Sequence, residues 1–158
     1  AGVTLLLAIA AFWTIRQSYS LRKKERRERL LNEIIEWADD IRKSSSESID
    51  PNEIIFDDPT MQIASQQVFQ QLRRKYQSLN TKSAYMKEAI SKVFGINLLS
   101  AVEKVIKKLN EAIKMLGTCI TSKAKENSAK VEEYKKSLDN CTEELIKEAT
   151  KIKTKGVS

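Results

Sequence analysis

The sequence predicts an all-α protein: an N-terminal transmembrane helix continuing into a cytoplasmic, antiparallel bundle of about four helices. Three observations lead there. From Leu30 onward, large apolar residues recur at steps of three, four and seven, the spacing of helices that bury one face. No stretch alternates apolar and polar residues as a half-buried strand does. The opening AGVTLLLAIAAFWTI carries no charge and runs straight into RQSYSLRKKERRER, an apolar segment stopped by a basic cytoplasmic flank.

The anchor is expected over residues 1–21 and the bundle over 22–158. Fifteen apolar residues of helix rise only ~22 Å, against a hydrocarbon core ~30 Å thick. Extending the helix through Arg16 to Ser20 brings the rise to about 30 Å, with Arg16 snorkelling to the headgroups and Trp13 and Tyr19 in the interfacial belt. A cleavable secretory signal would carry its positive charges before the apolar stretch, although Ala8-Ile9-Ala10 formally resembles a cleavage site. A buried helix of a soluble protein is the alternative, since apolar runs this short often lie in a core, but the segment has no polar face, unlike the rest of the chain. Thr4 and Thr14 are the only polar side chains between Gly2 and Ile15, so a spanning helix with its N-terminus outside is favoured.

The net charge is +7, and its location says more than its size. Arg16, Arg22, Lys23, Lys24, Arg26, Arg27 and Arg29 stand against Glu25 and Glu28, a flank of +5 suited to anionic lipid headgroups. Residues 30–72 carry −7 and residues 73–122 carry +7, which suggests that the first cytoplasmic helix and its following loop pair with the helices that fold back on them. Nucleic-acid binding is not expected, because no basic stripe is interleaved with aromatics and no zinc-finger, RNP or KH pattern occurs.

Leu30, Leu31, Ile34, Ile35, Ala38 and Ile41 define the first cytoplasmic helix, about 22–43, continuous with the anchor. A serine cluster from Ser44 is expected to end it by local hydrogen bonding. The connection that follows holds both prolines, Pro51 and Pro59, with Asp58 placed to cap the next helix. Within it, Ile54, Ile55 and Phe56 form an apolar plug that either covers one end of the bundle or docks a partner. Ile63, Val68, Leu72, Tyr76, Leu79, Met86, Ile90 and Val93 predict one helix over about 59–94, with Ser83 a point where it could bend. Gly95 closes it by a tight turn and Asn97 caps the next, about 97–121, which has the most regular apolar stripe in the chain. A last helix is expected over about 128–155, with Ser128 as its cap. No Gly or Pro interrupts 123–155, so one continuous rod stays open beside the hairpin. Four such helices can bury one core. The same stripes also permit two or three helices completed by another copy or another protein.

Reactive constellations are missing from the sequence. There is no histidine, and four isolated glycines make no phosphate-binding loop. Asp39-Asp40 and Asp57-Asp58 are sequence neighbours, which point apart on a helix. Cys119 and Cys141 read as small buried hydrophobes, ~15 Å apart along a hairpin and kept reduced in a cytoplasmic setting. No catalytic residue, cofactor or metal is therefore expected.

The stretch Phe12 to Ala38, FWTIRQSYSLRKKERRERLLNEIIEWA, resembles the N-terminal part of small prokaryotic membrane proteins, archaeal ones among them. In these an apolar helix is followed by a basic run and a Leu-Leu-Asn-Glu-Ile-Ile-Glu-Trp-like segment. The resemblance covers about a sixth of the chain, implies an anchored helical protein and carries over no catalytic residue. The expected role is a non-catalytic accessory or regulatory subunit on the cytoplasmic side of a larger membrane complex. A self-associating coiled-coil scaffold and a bundle enclosing a hydrophobic ligand are the alternatives.

Overall fold

Among the described residues, helical periodicity is realised as five helices: α1 Gly2–Ser46, α2 Pro59–Asn80, α3 Ser83–Val93, α4 Ile96–Thr121 and α5 Ala124–Thr154. The computed structural model describes residues 2–46, 59–121 and 124–155, and the side chains of all of these except 59–62, 64, 65, 119–121 and 124–128. Among the described residues there is no strand.

Cross-helix contacts fix the topology. Arg42 reaches Asp139 of α5 at 3.0 Å while Lys153 donates to Asn32 at 2.8 Å, so α1 and α5 run antiparallel. Asn80 pairs with Asn110 and Arg73 packs on Gly117, setting α2 antiparallel to α4. Lys87 meets Glu103 across α3 and α4, and Lys104 meets Glu144 across α4 and α5. The last two helices are thus the hairpin and not a rod, and they share the most extensive packing in the molecule. With α2 and α3 forming one arm, the chain closes as an up-down-up-down bundle.

Its core is one continuous cluster. Leu31, Ile34, Trp37, Ala38 and Ile41 of α1 pack with Phe69, Leu72 and Tyr76 of α2 and with Met86 and Ile90 of α3. Facing them are Leu98, Val102, Val105, Leu109 and Leu116 of α4, and Val131, Leu138, Leu145 and Ala149 of α5. The α2 stripe differs in register from the sequence reading. Phe69 is buried where its neighbour Val68 is only half-buried, and Ile63 is exposed.

The helix expected over 59–94 is broken at Asn80, and Trp37 accounts for the break. In a continuous helix the Leu79 carbonyl would accept from the Ser83 N–H. Here it accepts the Trp37 indole N–H at 2.9 Å and, at 3.3 Å, the Lys82 N–H in a tighter turn. Ser83 Oγ donates to Asn80 Oδ1 at 2.8 Å, and the helix restarts as α3.

Other boundaries shift by a few residues. α1 runs past Lys43 because Ser44 and Ser45 donate to the carbonyls of Asp40 and Ile41 within the helix, and Ser46 to that of Lys43. α4 starts at Ile96, one residue before Asn97, and Gly95 accepts its first backbone bond from Leu99. The turn between α3 and α4 comes from extended backbone at Phe94, so Gly95 needs no left-handed conformation there. α5 starts at Ala124, which places Ser128 inside the helix and not at its cap. Asp58 and the plug Ile54, Ile55 and Phe56 lie outside the described residues.

The expected spanning anchor over 1–21 falls short. No helix is long and apolar enough to cross a membrane among the described residues. The apolar part of α1, Gly2 to Ile15, rises about 21 Å, and Arg16 and Gln17 follow at once.

Candidate functional site: the free half of α1 and its basic collar

α1 is 45 residues long, and only its C-terminal part belongs to the bundle. Every residue from Gly2 to Arg26 is exposed, whereas burial begins in earnest at Leu30. About 37 Å of helix therefore projects from the bundle. Leu6 and Ile15 are each 68% exposed, and Val3, Leu5, Leu7, Phe12 and Trp13 are comparably bare. Because these residues fall on all sides of the helix, no single neighbouring helix could cover them. An apolar rod of this kind is hydrophobic all round, which marks a buried or membrane environment. The bundle supplies this half with none of the tertiary packing from which most helical stability in proteins comes.

Polar atoms within the apolar part fit a dry setting. The Thr14 hydroxyl donates to the Ala10 carbonyl at 2.9 Å, so its hydrogen-bonding needs are met inside the helix. Trp13 and Tyr19, the expected interfacial aromatics, are both exposed near the end of the apolar part.

At 100° per residue, Arg22, Lys23, Lys24, Arg26 and Arg29 surround the helix as a collar, with Arg16 one level above. All six are exposed. Arg27 departs from the expectation, since it is half-buried and its guanidinium lies 5.4 Å from the centroid of the Phe94 ring. It spends its cation on the α3–α4 turn, and its Nε has no hydrogen-bond partner. The collar is thereby pinned to the end of the bundle.

Of the acid–base pairing expected between residues 30–72 and 73–122, the acids Glu47, Asp50, Glu53, Asp57 and Asp58 lie outside the described residues. Among the described residues, ion pairs between helices include Arg42–Asp139, Lys87–Glu103 and Lys104–Glu144. Each is substantially exposed and worth ~0 to 1 kcal/mol, so the apolar core sets the topology.

No cluster of three or more His, Cys, Asp or Glu suited to a metal occurs among the described residues. The apolar void between Tyr76, Leu116 and Val131 measures about 10 Å³, too small for an organic ligand. A groove of about 530 Å³ between Lys87, Glu103 and Lys114 is wide open and charged. Cys141 is a free, half-buried thiol that burial pushes above its ordinary pKa. The chain matches no family model, no curated protein and no solved structure.

Proposed function

We propose that this chain is a non-catalytic, membrane-attached helical protein. In this reading the apolar half of α1 is embedded in lipid at the inner face of the cell membrane. The bundle is held at the cytoplasmic surface as an accessory or regulatory element of a larger membrane complex. The observation that carries the reading is the projecting apolar half of α1, bare on every side and continuous with a helix that enters the core.

Magnitudes separate the contributions. Burying a large apolar side chain contributes ~1.5 to 3 kcal/mol, so Val3, Leu5, Leu6, Leu7, Ile9, Phe12, Trp13 and Ile15 together supply on the order of 10 kcal/mol or more. Each collar cation adds on the order of 1 kcal/mol beside anionic lipid. Attachment is thus apolar in origin. The collar sets which side the bundle occupies, by the bias of Lys and Arg toward the cytoplasm.

Two experiments test the proposal. Carbonate extraction of cells expressing the chain should leave it in the membrane pellet, and release into the soluble fraction would end the idea of embedding. Affinity purification in mild detergent should recover a partner in stoichiometric amount. A lone monomer, or a homo-oligomer by light scattering, would remove the accessory role and, in the second case, favour a self-associating scaffold.

A further inference from the structure

The end of the bundle nearest the apolar half of α1 carries a feature that membrane attachment alone leaves unused. Ile96, which opens α4 just after the α3–α4 turn, is 81% exposed, the most exposed large apolar side chain among the described residues, and Val93 at the end of α3 is also exposed. Ile96 shares an open groove of about 390 Å³ with Lys151 and Lys155 of the last turns of α5. The same turn is tied to the collar through Phe94 and Arg27. Apolar side chains beside two lysines, with Glu148 the one acid lining the groove, on the end of the molecule that faces the proposed membrane, match an anionic lipid surface in both chemistry and position.

We infer that this end of the bundle is a second membrane contact, seated on anionic lipid through Ile96, Val93, Lys151 and Lys155. α1 then enters the bilayer obliquely. The inference rests on the lipid embedding of α1 proposed above. From Ile15 to Arg27 the helix rises about 18 Å, while the headgroup layer is only ~5 to 8 Å deep on each side. An upright α1 would hold the turn about 10 Å clear of the lipid. Leaning α1 toward the side where the turn lies, within the ~0 to 40° observed for membrane helices, closes that gap. Lys151 is shared with Glu148 at 3.3 Å, whereas Lys155 is exposed and in no ion pair among the described residues.

The test uses the full chain with Cys119→Ser and Cys141→Ser, carrying a single environment-sensitive fluorophore through Leu5→Cys, Ile96→Cys or Asn140→Cys. Circular dichroism checks the fold of each. Vesicles of phosphatidylcholine with phosphatidylserine, containing brominated acyl chains, serve as quencher. The label at 5 and the label at 96 should both be quenched, and the label at 140, exposed midway along α5 and about 22 Å of helix from Lys155, should not. Adding Lys151→Gln with Lys155→Gln should weaken docking at 96 about thirtyfold and leave quenching at 5 intact. Quenching at 5 without quenching at 96 overturns the inference and leaves the embedding of α1 standing. Quenching at neither overturns both. A shift at 96 that grows with protein concentration in the absence of vesicles means that a second copy covers the turn, and it also overturns the inference.

Discussion

Trp37 both packs the core and ends a helix. It is 1% exposed, fills the space among α1, α2 and α3, and takes the carbonyl that α2 would need to continue. Trp37→Phe should retain most of the packing and lose about 1 kcal/mol with the hydrogen bond, whereas Trp37→Ala should lose ~3 to 5 kcal/mol. Urea unfolding followed by circular dichroism measures both. Tyr76 offers a pH test. Burial, opposed by the hydrogen bond with Ser45 and reinforced by the charge of Glu132, pushes its phenol up to about 12. The folded chain therefore holds this proton more tightly than the unfolded chain, where the group ionises near its ordinary value of 10.0. Its contribution is complete below pH 10 and is lost as the pH rises from 10 to 12, by roughly 2 to 3 kcal/mol in all. Tyr76→Phe should cost about 1 kcal/mol at neutral pH and flatten the alkaline fall. An unchanged fall would assign it to other groups. Cys141, half-buried and with its thiol pKa raised by that burial, should alkylate more slowly in the folded chain than in denaturant.

At the scale of helices, legibility in the sequence followed from how local the cause was. α4 and α5 carry long apolar stripes, and their extents match expectation within a few residues because period and length are local properties. The break at Asn80 depends on an indole 42 positions away in sequence, which periodicity does not register. Phe69 was missed because Val68 satisfies nearly the same spacing, and only the facing helices decide between them. The serines after Lys43 have two uses for a hydroxyl, capping or back-bonding, and here they back-bond. Of the candidate site, the collar and the aromatic pair were readable from composition alone. The capture of Arg27 by Phe94 and the exposure of Ile96 were not, since both depend on where the α3–α4 turn comes to rest. The continuity of α1 has its own test. Leu21→Pro breaks the helix between collar and apolar part, outside the core. It should leave bundle stability within about 0.5 kcal/mol while freeing the bundle from a fixed posture on vesicles. A large loss of stability would mean that the projecting half supports the core.

As a whole molecule, the chain divides into a bundle that stabilises itself and a half-helix that does not. The bundle closes one apolar cluster through four arms, with exposed ion pairs adding little. The projecting half has no such closure, and its bare apolar surface is what the proposed membrane attachment explains. The most direct test is flotation of the purified full chain with phosphatidylcholine vesicles, alongside a Leu6→Glu, Ile9→Glu variant whose bundle melts normally. The account predicts that the native chain rises with the lipid and the variant stays at the bottom of the gradient. A native chain that remains at the bottom as a folded monomer would contradict it.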